Sequence, residues 1–261
     1  MSLSEPAPSM PKVALVTGAA KRIGRALALG LAADGWAVAL HYRTSKDEAD
    51  SAVSAIVDAG GRAVALPADL RVEAEVQTLV PRAAAALGPV GCLINNASLF
   101  ENDTAASADR ASWDAHLETN LRAPLVLIQS FAAALPAEAA GAVINMIDQR
   151  VWNLTPYFLS YTVSKGGLWT LTQTLALSLA PRIRVNAIGP GPTLPSARQN
   201  DEQFSRQCES TPLRHGTTPE EILDAARFIL AAPAMTGQMI ALDGGQHLGW
   251  AQAKSPAPPQ E

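Results

Sequence analysis

The chain has 261 residues, 48% hydrophobic and 17% charged. That composition can build a large core, which excludes a disordered or fibrous protein. Its 20 Lys and Arg against 24 Asp and Glu leave a formal net charge of −4, so no basic field is available to track nucleic acid. Cys92 and Cys208 stand far apart, with neither a disulfide framework nor a thiolate metal spacing, so a reducing, cytoplasmic setting is expected. The opening MSLSEPAPSMPK lacks the charged start and apolar run of a signal peptide. No run of about 18 residues is apolar enough to suggest a membrane span.

In chain order, short apolar runs predict strands at Val13–Thr17, Ala37–Tyr42, Ala63–Pro67, Val90–Asn95, Ala142–Ile147, Arg184–Ile188 and Met239–Leu242. Between them, apolar residues at three- and four-residue spacing predict helices over Arg22–Ala33, Lys46–Ala59, Val72–Ala86, Ser112–Leu135, Tyr157–Leu179 and Pro219–Leu230. This alternation specifies an α/β protein: a single-domain, doubly wound parallel sheet, the Rossmann fold. The runs VALV, CLIN and AVINMI are apolar without alternation, as strands buried on both faces must be. Residues 12–248 are read as the domain, with 1–11 and 249–261 as flexible tails. The segment Gly189–Thr218 is rich in Pro, Ser, Thr and Gln and has the weakest periodicity. It follows a strand end, where open α/β sheets place ligand loops, so a lid is expected there.

Strand one ends in Thr17-Gly18-Ala19-Ala20-Lys21-Arg22-Ile23-Gly24 and opens straight into a helix. Glycine permits close approach to a phosphate, and the helix N-terminus offers unpaired N–H groups. The dinucleotide fingerprint wants three glycines, whereas this loop has two. Strand two ends in His41-Tyr42-Arg43-Thr44-Ser45, with no acid to bind a ribose 2′-hydroxyl. A basic residue there suits a 2′-phosphate, so Arg43 with Thr44 or Ser45 predicts NADPH; an exposed loop arginine is the alternative. Asp47 and Glu48 read as first-turn helix charges. Asp69 either reaches an adenine amino group or caps the next helix.

Tyr161 and Lys165 lie four residues apart on a helical pattern and share a face. An ammonium beside a phenol favours the phenolate, which predicts a lowered Tyr161 pKa. Tyr157 has no such partner, because the residue four positions on is Tyr161. Asp148 ends the strand Ala142–Ile147 and is expected in the same cleft.

Taken in order, TGAAKRIG, Asn95-Asn96-Ala97, Asn120, Asp148, Tyr161/Lys165 and Gly189-Pro190-Gly191 resemble the short-chain dehydrogenase/reductase family over roughly residues 12–248. The resemblance implies a proton donor at Tyr161 and a ribose-holding, pKa-lowering Lys165. It also implies an Asn120 that supports a proton-relay water. It places Asn96 and Ala97 on the adenosine side, with Pro190 and Gly191 against the nicotinamide. It extends the cofactor set to Gly18, Arg22, Ile23, Gly24, His41, Tyr42, Arg43, Thr44, Ser45, Asp69, Leu70, Ser98, Tyr161 and Lys165.

Two departures narrow the reading. Most members carry Ser at the position of Asp148 and Gly at that of Arg22. Together with His41–Ser45 and the run Asn96, Ala97, Ser98, Phe100, these resemble pteridine reductases. In that subgroup the arginine touches cofactor phosphate and substrate. The Phe sandwiches the pterin against nicotinamide, and the Asp joins the Tyr in proton delivery. The implied substrate contacts are Arg22, Ser98, Phe100, Asp148 and Tyr161; ordinary loop packing is the alternative for Phe100.

His41, His116, His215 and His247 have no paired-ligand spacing, so no metal is expected. Trp152 and Tyr157 either wall the pocket or pack half-buried, and Trp250 is expected at a subunit interface of the family's usual homotetramer. The sequence therefore predicts an NADPH-dependent reductase of a pterin or dihydrofolate-like ring. A carbonyl reductase acting on 3-oxoacyl thioesters and a non-catalytic dinucleotide-binding regulator are the rivals. Asp148 counts against the first and the Tyr161/Lys165 pair against the second.

Overall fold

The computed structural model describes residues 9–196 and 198–249; the expectations for the two end segments beyond these, Trp250 included, lie outside the described residues. Seven strands form one parallel sheet: β1 (Val13–Val16), β2 (Ala37–Tyr42), β3 (Ala63–Pro67), β4 (Cys92–Asn95), β5 (Gly141–Met146), β6 (Ile183–Pro190) and β7 (Met239–Leu242). Their order is β3-β2-β1-β4-β5-β6-β7, so the direction of winding reverses between β1 and β4. Ligands bind at the carboxyl ends of the strands at such a switch point.

The sheet is doubly covered because each strand sends alternate side chains to opposite faces. On one face Leu15, Leu93, Val143 and Val185 pack with Leu79 of α3 (Glu73–Leu87) and Phe131 of α5 (Ala123–Ala134). On the other, Val16, Ile94, Ile144 and Ile188 pack with Leu27 of α1 (Arg22–Ala33) and Ile229 of α8 (Pro219–Ala231). Burial of each such side chain contributes about 1.5–3 kcal/mol. Helix α2 (Lys46–Asp58) completes the wrapping beside β2 and β3.

The predicted helix Ser112–Leu135 is observed as α4 (Arg110–Leu117), a π turn over Glu118–Arg122, and α5. The catalytic candidates Tyr161 and Lys165 ride on α6 (Leu159–Leu179). Below them the paired residues Asn95 and Asn145 carry a buried polar ladder. Asn95 Nδ2 donates to Asn145 Oδ1 at 2.8 Å, and Asn145 Nδ2 to Thr172 Oγ1 at 2.9 Å, tying α6 to the sheet. The segment after β6 holds a helix, α7 (Asp201–Glu209), that periodicity did not reveal. It is started by a capping box between Asn200 and Gln203, so it is set by its polar cap rather than by an apolar stripe.

Candidate active site

The loop after β1 is held by hydrogen bonds from three directions. Thr17 Oγ1 accepts from the amides of Asn96 and Ala97, each at 2.9 Å, and Asn96 Nδ2 donates to the Thr17 carbonyl at 2.8 Å. Gly18 takes φ +62°, and a Cβ there would lie 3.0 Å from Ala97 Cα. A Cβ on Gly24 would meet the Gly18 carbonyl oxygen at 2.2 Å, so the helix start and the loop can touch only without a side chain. The buried His41 joins this loop to β2 and β3. Its Nδ1 accepts from the Gly18 amide, and its Nε2–H donates to the Ala68 carbonyl, both at 3.1 Å. Burial pushes its pKa down to about 4, so the imidazole stays neutral.

Arg22 also sits at positive φ, +54°. The left-handed region costs a non-glycine residue on the order of 1–2 kcal/mol, which is why glycine is the residue expected there. Its guanidinium donates to the carbonyls of Leu194 (3.1 Å) and Pro195 (2.8 Å) on the segment after β6. It thus ties the glycine loop to the expected lid.

Two adjoining cavities open along this switch point and share Arg22, Ile23, Asn96 and Ser98. The larger, about 390 Å³, is lined by Gly18, Gly24, His41, Arg43, Asp69, Leu70 and Ala97 among others. Arg43 is exposed at its mouth and has no ion pair among the described residues. Tyr42 is buried beneath, Thr44 is exposed, and neither Thr44 nor Ser45 lines the cavity. Asp69 does not cap α3: its carboxylate accepts from the Arg71 guanidinium and amide, while Val72 stands at the helix start with no side-chain cap. The Arg71 guanidinium holds the Asp69 carboxyl down at about 2. Asp47 and Glu48 lie in the first turn of α2, as read, and Glu48 also pairs at 2.6 Å with Lys21 at the start of α1.

The second cavity, about 230 Å³, brings together Phe100, Asp148, Tyr161, Lys165, Pro190 and Gly191. Tyr161 Oη donates to Asp148 Oδ2 at 2.8 Å, and Asp148 Oδ1 accepts from the Arg150 amide at 2.7 Å. Burial first, and the Asp148 carboxylate second, push the Tyr161 pKa well above its ordinary value. This reverses the expected effect of Lys165. The Lys165 Nζ lies 5.8 Å from the Tyr161 ring centroid and donates to the Met146 carbonyl at 2.7 Å. With only 2% of Lys165 exposed, burial lowers its own pKa to about 8. Tyr161 is therefore a protonated phenol, the form a proton donor needs.

Asn120, expected beside a relay water, uses its side chain to hold neighbouring backbone. It lies in the π turn; its Oδ1 accepts from the Leu99 amide at 2.8 Å, and its Nδ2 donates to the Leu99 carbonyl (2.9 Å) and Ser164 Oγ (3.0 Å). The side chain clamps the loop after β4 to α6. That loop carries Phe100, whose half-buried ring stacks on Phe158 at 4.5 Å and meets Tyr161 edge-on at 4.7 Å. Loop packing and cavity lining are thus both true of Phe100. Sequence reasoning missed Phe158 and Arg198; the Arg198 guanidinium lies 5.3 Å from the Phe100 ring centroid and donates to the Phe100 carbonyl at 2.9 Å. Trp152 and Tyr157 do not line the cavity; Trp152 packs edge-on against Trp169 and His247.

A glycine-lined groove running into a buried phenol and lysine at the switch point defines the cleft of a dinucleotide-dependent oxidoreductase. The chain belongs to the short-chain dehydrogenase/reductase family: the family model described as enoyl-(acyl carrier protein) reductase matches residues 18–247. It is 32% identical over 244 residues to the 3-oxoacyl-[acyl-carrier-protein] reductase FabG of Staphylococcus epidermidis, covering 92% of this chain and 100% of that protein. It is more similar to two solved structures of FolM alternative dihydrofolate reductase 1 in complex with NADP. That from Brucella suis is 48% identical with a TM-score of 0.89, covering 93% of this chain and 96% of the other. That from Brucella canis is 46% identical with a TM-score of 0.87, covering 94% and 96%.

Proposed function

We propose that the protein is an NADPH-dependent reductase of a pterin or dihydrofolate-like ring, a pteridine reductase in its chemistry, carried by residues 12–248. The observation that carries this reading is the Tyr161–Asp148 hydrogen bond, set beside the Phe100 ring in one cavity. A ketone needs donors to a single oxygen. A pterin offers ring nitrogens, an amino group and a flat apolar face, which call for a carboxylate and an aromatic plate. The higher identity to the FolM proteins than to FabG supports the same choice.

The larger cavity would hold NADPH, with Gly18, Gly24 and the start of α1 at the phosphates and Arg43 at the 2′-phosphate. Its glycine contacts admit no Cβ, which fits backbone approach to phosphate. When bound, the cofactor supplies the hydride. The proton would come from the chain, at the nitrogen of the C=N bond whose carbon takes the hydride. Tyr161 keeps that proton at Oη because burial and Asp148 oppose its loss. Once the proton is given up, the buried Lys165 ammonium offsets the negative charge left with Tyr161 and Asp148. Lys165, Pro190 and Gly191 line the smaller cavity with Tyr161, where the reacting groups would meet.

The exposed Val163 and Leu177 on α6 support assembly as a homotetramer, and the free thiols of Cys92 and Cys208 support a cytoplasmic setting. NADPH oxidation is the test, with dihydrobiopterin or dihydrofolate assayed beside a 3-oxoacyl thioester. Pterin turnover is expected. Thioester reduction with no pterin turnover would overturn the reading and install the carbonyl reductase.

A further inference from the structure

His116 is fully buried on α4, and its ring meets that of Tyr161 edge-on at 6.4 Å. Both ring nitrogens have partners of fixed character. Nε2 is 3.1 Å from the Glu101 amide, which can only donate; Nδ1 is 2.8 Å from the Ser112 carbonyl, which can only accept. The imidazole must therefore be neutral with its proton on Nδ1. An imidazolium has no lone pair for the Glu101 amide.

That amide belongs to the loop bearing Phe100, and His116 is the middle of three fastenings. Asn120 clamps Leu99 on one side. On the other, Asp103 Oδ1 accepts from the Ser160 amide at 2.9 Å and its carbonyl from the Leu159 amide at 3.2 Å. Asp103 thereby satisfies two of the unpaired N–H groups at the start of the helix that bears Tyr161. Asp103 Oδ2 also accepts from Ser112 Oγ at 2.8 Å, so the residue that receives the His116 proton is itself fixed to this loop.

We propose that His116 is a positioning residue for the substrate. As a neutral, Nδ1-protonated imidazole it holds the Glu101 backbone, and so sets the Phe100 ring against the edge of Tyr161 where a flat heterocycle is to lie. The proposal rests on the pterin reading for its kinetic consequence and on geometry alone for the tautomer.

Two measurements test it. Nitrogen-15 NMR of wild-type protein at neutral pH is expected to show His116 protonated at Nδ1 and bare at Nε2. An Nε2–H tautomer or an imidazolium would overturn the proposal, whatever the substrate proves to be. In the second, His116→Leu removes the acceptor while keeping bulk, and His116→Gln keeps an oxygen near the position of Nε2. Losing the acceptor of one buried amide is expected to raise the pterin KM about tenfold in the Leu variant. NADPH affinity and kcat should stay within about threefold, and the Gln variant should recover most of the KM. An unchanged KM in a folded Leu variant, or a parallel loss of NADPH affinity, would refute the positioning role. Should the Leu variant not fold, His116→Phe, which also lacks the acceptor, takes its place: the pterin KM is expected to rise in the same way, and an unmoved KM refutes the role.

Discussion

Replacing Asp148 by Asn removes the charge that faces Tyr161 Oη at 2.8 Å. Because the single amide oxygen must keep the Arg150 amide at 2.7 Å, the side chain turns an NH2 toward the phenol and leaves a neutral contact there. A hydrogen bond to a charged partner is worth about 1.5–3 kcal/mol and a neutral one about 0.5–1.5. The difference of roughly 1–1.5 kcal/mol is about tenfold in any step that depends on it. Asp148 is the second-largest cause of the raised Tyr161 pKa and the only one that holds the Lys165 pKa up. Without its charge the Tyr161 pKa falls and the Lys165 pKa falls further below about 8. Both changes move the alkaline limb of the rate profile to lower pH, because Tyr161 then loses its proton more readily and Lys165 its charge. The assay is kcat for dihydropterin reduction across pH, with NADPH affinity measured alongside. We expect kcat to fall about ten- to a hundredfold, the alkaline limb to move toward neutrality, and NADPH affinity to hold within about twofold. An unmoved alkaline limb with undiminished kcat would refute the assignment of Asp148 as the partner that keeps Tyr161 protonated.

Tyr161→Phe removes the donor and is expected to cut turnover about 10²–10⁴-fold, while Tyr157→Phe, outside the cavity, costs little; similar losses would show the wrong phenol has been chosen. Arg43→Ala is expected to weaken NADPH binding about tenfold or more by loss of a charge-assisted contact and to leave NADH unaffected, as titration of the two cofactors will show. Lys165→Met should abolish reduction yet stabilise the fold. Burial lowers the Lys165 pKa from 10.5 to about 8, so below about 8 the folded chain carries an unfavourable buried charge worth about 3 kcal/mol. Between pH 8 and 10.5 the unfolded chain binds the proton that the folded chain does not, so wild-type stability should rise with pH there. The Met variant should lack that increment, and a variant less stable than wild type at neutral pH would contradict it.

The sheet was legible because strands buried on both faces must be apolar throughout, as in Val13–Val16 and Gly141–Met146. Where Asp148, Tyr161 and Lys165 meet was legible for a related reason: helical spacing and a strand end fix positions in space. The sign of the Tyr161 pKa shift was not. It depends on burial and on which charge stands closer, and spacing along a helix reports neither. Helix α7 escaped because its order comes from a cap, Asn200 with Gln203, although the Asn-x-x-Gln pattern was visible. His116 was weighed only as a metal ligand, since nothing in its spacing shows that a backbone amide fifteen positions earlier would need it. That the Asn120 side chain also grips Leu99 was not legible, because that loop has no periodic signature.

The π turn at Glu118–Arg122 acts as a phase shifter. An α-helix advances about 100° per residue, so one surplus residue resets the facing of everything after it. Upstream, His116 must face the Phe100 loop; downstream, Val126, Leu127 and Phe131 must face the sheet. With the wider turn at Glu118–Arg122, the core-facing half of the helix and the loop-gripping half are set separately: deleting one residue there would leave a continuous helix whose two working faces no longer agree.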